Sequence, residues 1–331
     1  MNKDSNPELL YPMLHSRIKD SLFYIDIAPR YRKRTDTKSG QTPRIRFKKS
    51  YVNTIFQNAY NESIGKPTLE KLPTNVNSLE ELNKMLHELT STYKNWTVDQ
   101  LIDKFQIKVE DRGKLSKQVC EQIMVRMLGG ISKKISNIEL FEKIGVIAKS
   151  ITKTQNDKKT EDTKFFTLNL EEIENKELEY EETEFYQYFA EHKLLCIMFE
   201  EPSRNARLNN NRFIGFKWFT FSEEIINTTI KDVYDIICDR INNCTLVESY
   251  EYKKDGTQIF NKTGVPKTKL NFPKSKDYDY FVRGTSSDST QKPWKIKGQA
   301  VDGGDFIYCY SQQIWMHGGY LVKSLKKIDF V

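Results

Sequence analysis

Ile144-Gly145-Val146-Ile147-Ala148-Lys149 is the stretch on which the folding of this chain turns. It is short, apolar and rich in β-branched residues. Glu142-Lys143 bounds it upstream, and the polar tract from Lys149 to Lys164 follows it. A run of that length and composition reads as a strand buried on both faces and ending in a lysine. Two further runs of the same kind follow, Leu194 to Phe199 and Phe213 to Phe219, with Phe165-Phe166-Thr167-Leu168 lying before them. Helical patterns lie between and before them. Ser78-Leu79-Glu80-Glu81 and Thr97-Val98-Asp99-Gln100 are helix-start signatures, a hydroxyl followed three residues later by Glu or Gln. Lys117 to Leu128 is amphipathic and stopped by Gly129-Gly130. Glu171 to Phe189 is an acidic helical region, and Ile225 to Ile241 a long helix. Strands alternating with helices predict an α/β core of mixed strands.

Upstream, Leu22 to Ala28 predicts a strand ended by Pro29. The chain then turns basic: residues 30–49 hold nine Lys or Arg against the single acid Asp36. The net charge of the whole is +7, so the positive charge is concentrated here. Residues 161–185 are the counterpart, with ten acids and two lysines. A local basic segment with interleaved aromatics (Tyr31, Phe47, Tyr51) is what a polyanion-binding element looks like. Arg44-Ile45-Arg46-Phe47-Lys48 alternates, so that one face binds phosphate while the other packs. Tyr51 to Ala59 has helical spacing through Val52, Ile55, Phe56 and Ala59. Residues 61–78 are loop-like, with Gly65, Pro67 and Pro73. A domain boundary is expected there, between a basic N-terminal region over 1–78 and a domain over 79–331.

With 38% hydrophobic and 12% aromatic residues the chain has the means to bury a core. No run approaches the roughly 18–20 apolar residues that a membrane helix needs. The first twenty residues are polar, so no signal peptide is expected, and a cytoplasmic protein is. Cys120, Cys196, Cys238, Cys244 and Cys309 are scattered without metal spacing and read as reduced, buried thiols. His192 and His317 build no hydrolase triad. Asp302-Gly303-Gly304-Asp305 does not follow a strand and open a helix, so it is no nucleotide loop.

Four co-linear segments resemble one family, the MutH mismatch-repair nuclease and the GATC-cutting type II restriction endonucleases of the Sau type. They are Asn95-Trp96-Thr97-Val98-Asp99-Gln100-Leu101 with Lys117–Gly129, His192-Lys193-Leu194 through Phe199, Phe281-Val282-Arg283-Gly284-Thr285-Ser286-Ser287, and Gln313-Ile314-Trp315-Met316-His317 through Tyr320. Order and spacing agree over about residues 88–331. The segment from Ile27-Ala28-Pro29 to Tyr51 is similar to the region joining the two MutH-like halves of those restriction enzymes, of which the C-terminal half binds DNA without cutting. The resemblance implies a restriction-endonuclease-like, MutH-like mixed sheet flanked by helices, with Ile144–Lys149 as its central strand.

It also implies a site. In such nucleases carboxylates hold Mg²⁺, and a lysine helps to activate the attacking water. The family's acidic positions fall here on Val125, about Leu140, and Ile147. The lysine stands at Lys149 as a relic. No catalytic residue, no metal ligand and no cofactor is therefore expected of this chain. Mg²⁺ enters only if an active endonuclease uses displaced carboxylates such as Glu121, Glu139 or Glu142. The expected DNA-binding residues are Arg283 on a recognition turn, Thr285 after it, Lys193, Lys117 and Trp315, with Arg30, Arg32, Lys33, Arg34, Arg44, Arg46, Lys48 and Lys49 on the basic arm. The implied function is that of a pseudonuclease binding duplex DNA at GATC-like sites. It would be the effector or specificity half of a type II restriction endonuclease, partnered by a catalytic MutH-like half. The third possibility is an interaction module with a retired DNA surface.

Overall fold

A computed structural model describes residues 25–28, 44–109, 115–116, 118–154, 160–175, 177–204, 206–261, 263–286, 288 and 290–331, with backbone alone at 25–28 and 44–46. In chain order, β1 (Ile25–Ala28) and β2 (Arg44–Phe47) are followed by α1 (Lys49–Ser63), α2 (Leu79–Tyr93), α3 (Val98–Lys104), α4 (Val119–Met127) and α5 (Glu139–Ile144). Next come β3 (Val146–Lys153), β4 (Thr163–Thr167), α6 (Leu170–Glu174), α7 (Glu184–Glu191), β5 (Lys193–Glu200), β6 (Arg212–Thr220) and α8 (Lys231–Asn242). The chain closes with β7 (Glu248–Tyr250), β8 (Thr268–Leu270), β9 (Tyr280–Gly284), β10 (Trp294–Lys297), β11 (Phe306–Cys309), β12 (Gln312–Met316) and α9 (Gly318–Leu325). Its contacts gather into two compact units. The first is Met1–Gln155 with Glu191–Thr220 and Ile328–Val331; the second is Asn156–Ala190 with Phe221–Lys327.

In the first unit β5 is the middle strand, parallel to β3 on one side and antiparallel to β6 on the other. Leu194 to Phe199 are all buried, as an apolar run covered on both faces requires. Leu195, Ile197 and Phe199 meet Phe213 and Phe216 of β6, Leu82 and Leu86 of α2, Leu101 of α3, Ile123 and Val125 of α4, and Phe141 of α5 in one core. Thr97 and Gln100 make a full capping box, each side chain accepting the other residue's N–H. At α2, Ser78 accepts the N–H of Glu81, but the Glu81 carboxylate takes the N–H of Asn77 instead of closing the box.

The strand expected at Ile144–Lys149 is shifted and occupies a different place in the sheet. Ile144 is the last residue of α5, and Gly145, at φ 68°, is its left-handed cap. Only then does β3 begin, and it runs on through Ser150 and Thr152 to Lys153. It is an edge strand of its sheet among the described residues, with Val146 and Ile151 buried and Ile147, Ala148 and Lys149 half-buried. Main-chain pairing to β5 carries it past the apolar residues, because a ladder needs backbone groups and not side chains.

The helix expected at Tyr51–Ala59 forms, but its apolar stripe does not pack. Val52, Ile55 and Phe56 are 50%, 47% and 70% exposed, and Thr54 is the buried residue. The neighbouring face meets α5, where the Ser50 hydroxyl donates to the Lys143 carbonyl at 3.0 Å. The contact division does not fall at residue 78. The Glu70 carboxylate accepts the N–H groups of Ile131 (2.6 Å) and Ser132 (2.8 Å), which ties the 66–78 segment into the first unit. The chain's last residues return to β6. Val331 donates its N–H to the Phe216 carbonyl, Lys217 reaches the Ile328 carbonyl at 2.7 Å, and Phe330 lies over Gly215.

The second unit is built on the antiparallel sheet β4-β12-β9. Tyr280, Val282, Ile314, Met316 and Thr163 are buried on one face. Phe165 extends that face into an aromatic cluster with Phe189 (5.4 Å between ring centres), Phe221 (5.6 Å) and Tyr280 (6.4 Å). The acidic helical region is not one helix. It breaks into α6, a 3₁₀ turn at Tyr180–Glu182, and α7, and the Glu172 carboxylate of α6 accepts the N–H groups of Glu184 and Phe185 at the start of α7. A π-helical stretch, Ile226–Ile230, leads into α8. Among the described residues no helix is long and apolar enough to cross a membrane. Cys120, Cys196 and Cys309 are buried as expected, Cys238 is half-buried, and Cys244 is exposed.

Candidate functional site

Side chains of the β4-β12-β9 sheet alternate between its two faces, so the face opposite the aromatic cluster is set by register. Across it Lys164 stands opposite Trp315, Trp315 opposite Phe281, and Gln313 opposite Arg283. Buried Phe281 and half-buried Trp315 form an aromatic floor and wall. The Arg283 guanidinium lies between them, 4.9 Å from each ring centre. One of its nitrogens is 2.8 Å from Asp162 Oδ2, while Asp162 Oδ1 accepts the N–H of Gly318 at 3.0 Å. The Asp162 side chain is 12% exposed and that of Arg283 41% exposed, so the acid is the fixed partner and the cation still faces solvent. The two ring contacts and the carboxylate tether together restrain the guanidinium, and only one of its nitrogens is engaged by Asp162.

Two expectations about Arg283 change. It sits on β9 and not on a turn, and its side chain packs. The Trp315 indole N–H is buried without a hydrogen-bond partner among the described residues. The exposed Thr285 donates its hydroxyl to Gln313 Oε1 at 2.9 Å, and Gln313 in turn donates to the Ser311 carbonyl. Asp162 and Phe281 were missed as members of this constellation. Phe281 lies two residues from Arg283 and so shares its face of a strand, which is a legible signal; Asp162 left none.

The remaining candidates lie in the first unit or outside the described residues. Lys117, Arg30, Arg32, Lys33 and Arg34 are outside them. Arg44 and Arg46 lie on β2, which pairs with β1, and their side chains are likewise outside. Lys48 and Lys49 stand at the start of α1, whose first turn has no acid. Lys193 opens β5, where its N–H donates to the Gly145 carbonyl. The Gly145 backbone approaches Ser50, so the entry to α1 and the start of β5 lie on one side of this unit.

Lys149 is level with Cys196 and Lys217 across the three strands, on the face away from the helical core. Burial pushes the Cys196 thiol up to about 12, against the opposing effect of Lys217 and Lys149. Val125 is fully buried and Leu140 and Ile147 are half-buried. Of the displaced carboxylates, Glu121 accepts the N–H of Ile135 at 2.8 Å and Glu139 pairs with Lys143. Glu142 is half-buried, and burial raises its pKa above the usual carboxylate range. Among the described residues no three His, Cys, Asp or Glu side chains gather in a group able to hold a metal ion.

No protein-family model matches the chain. The chain is similar to the type II restriction enzyme Sau3AI of Staphylococcus aureus, at 24% identity over 262 residues. The matched region is 75% of this chain and 52% of that enzyme, so the chain spans about half the length of the curated relative it matches.

Proposed function

We propose that the chain is a duplex-DNA-binding protein of the restriction-modification type, a MutH-like pseudonuclease that acts as the effector or specificity half of a type II restriction endonuclease. The likeness to a type II restriction enzyme supports the DNA-related role. The observation that carries the proposal is the Arg283 guanidinium, 4.9 Å from the ring centres of Phe281 and Trp315 and tethered by Asp162 at 2.8 Å. A planar fork of fixed orientation is the side chain best suited to bidentate contact with guanine in the major groove. Arg283 would read the base in a GATC-like site. Lys193, Lys48 and Lys49, with Arg44, Arg46 and the rest of the basic arm, would hold phosphates and set the register. Residues 79–331 would form the DNA-binding domain and 1–78 its basic lead. Trp315 and Thr285 would act beside Arg283, Trp315 by supporting the guanidinium.

Metal-dependent cutting needs carboxylates to hold a hard cation. Val125, Leu140 and Ile147 supply none, and Glu121 and Glu139 are engaged elsewhere. This supports a non-catalytic role, with cleavage supplied by a separate catalytic half. The test is a gel shift of the purified chain on a duplex containing GATC, at low salt, alongside incubation with Mg²⁺. Binding that weakens steeply with salt, is lost in Arg283→Ala and leaves the duplex intact is the expected result. Failure to bind at low salt overturns the proposal, and Mg²⁺-dependent cleavage abolished by Lys149→Ala replaces it with an active nuclease.

A further inference from the structure

A cavity of about 470 Å³ opens in the second unit beside Arg283. Its lining holds Lys267, Lys269, Lys274, Lys276, Lys292 and Arg283, against the single acid Glu251. Three of these cations are matched by a carboxylate: Lys267 by Glu251 at 3.0 Å, Lys292 by Glu248 at 3.6 Å, and Arg283 by Asp162 at 2.8 Å. Lys276 lies 3.5 Å from its exposed neighbour Asp277. Among the described residues no carboxylate pairs with Lys269 or Lys274.

Lys274 is the telling member. It is half-buried, and burial lowers its pKa below the usual lysine range, against the pull of Glu251, with Lys269 and Arg283 adding repulsion. A protein that needed this side chain only for packing would gain nothing from a cation there. Like charges converging on one concavity destabilise the unoccupied protein, and an anion relieves that repulsion. Lys267 and Lys269 stand two apart along β8 and its approach, so they project to one side of that strand. Lys274 and Lys276 follow on the loop after it and line the same cavity.

We propose that this cavity is a phosphate-binding site that receives the backbone of duplex DNA next to the base contacted by Arg283, with Lys269 and Lys274 as its principal ligands. The assignment rests on the DNA-binding function proposed above and adds to it residues that the sequence did not single out. Lysine suits the task as a compact point charge that fixes a phosphate without reading sequence.

The test measures binding of the full chain to a GATC-containing duplex over a series of salt concentrations, for the wild type, Lys274→Met, Lys269→Ala and Arg283→Ala. Lys269 is exposed, so its variant keeps the fold even if Lys274→Met does not. Each lysine variant is expected to bind roughly tenfold more weakly at low salt and to lower the slope of log K against log salt by about 1. If both lysine variants bind with wild-type affinity and slope while Arg283→Ala loses binding, this site is overturned and the broader function stands. If the wild type binds no duplex at low salt, both fall. Inorganic phosphate that binds the wild type, with DNA affinity unchanged in the lysine variants, overturns the assignment to DNA.

Discussion

Removing the Asp162 carboxylate tests the tether directly. Asp162→Ala deletes two acceptors at once: the one for the Gly318 N–H at 3.0 Å and the one for Arg283 at 2.8 Å. The first is a hydrogen bond from a backbone donor to a mostly buried charge, which contributes about 1.5–3 kcal/mol. The second involves an arginine that is 41% exposed, so solvent screens it and about 0.5–1 kcal/mol is the reasonable figure. Together the alanine should destabilise the second unit by roughly 2–4 kcal/mol. Asp162→Asn retains a carbonyl oxygen for Gly318 and loses only the charge, so about 1 kcal/mol is expected. Urea unfolding followed by tryptophan fluorescence reads the change through Trp294 and Trp315 of this unit, resolved from the signal of Trp96 and Trp218 of the first. A double-mutant cycle with Arg283→Met should give a coupling energy of about 0.5–1 kcal/mol. If Asn costs nothing while Ala does, or the coupling is zero, then Asp162 does not hold Arg283 as described.

Three further outcomes are expected. Ile197→Ala, in the fully buried middle strand, should cost about 2–5 kcal/mol, and Ile147→Ala, half-buried on the edge strand, less than half of that; equal costs in unfolding experiments would contradict the strand order. Gly318→Ala should destabilise the second unit by about 3 kcal/mol, measured by the same fluorescence transition, since its Cβ would collide with the Thr160 carbonyl oxygen. At pH 8 a thiol reagent should label exposed Cys244 first and leave Cys120, Cys196 and Cys309 unmodified until unfolding. Burial has pushed those three thiols up to about 12, so at pH 8 almost none of each is thiolate, and mass spectrometry of the labelled chain reads the order.

The sequence by itself determined the elements whose signals are local. Leu194–Phe199 and Phe213–Phe219 read as strands because every residue of the run had to be apolar, or alternate, to sit where it does. α2 and α3 read as helices because Ser78 and Thr97 satisfy backbone donors three residues away. Arg283 was picked out by its motif, and Phe281, two residues before it, was within reach of the same reasoning. Tertiary structure decided the rest, for reasons that are non-local. Gly145 adopts φ 68° and hands Ile144 to the helix, a choice open to glycine and not written in the apolar pattern. Which of two apolar strands lies at the edge depends on the crossover that sets β3 parallel to β5. The stripe of Val52, Ile55 and Phe56 faces outward because α1 meets α5 through its other side. Arg283 acquires a fixed orientation only when Trp315 of β12 and Asp162 before β4 are brought to the same face of one sheet. The lysines around it became a cavity in the same way. Charge can be counted along a chain, but its convergence on a point belongs to the fold.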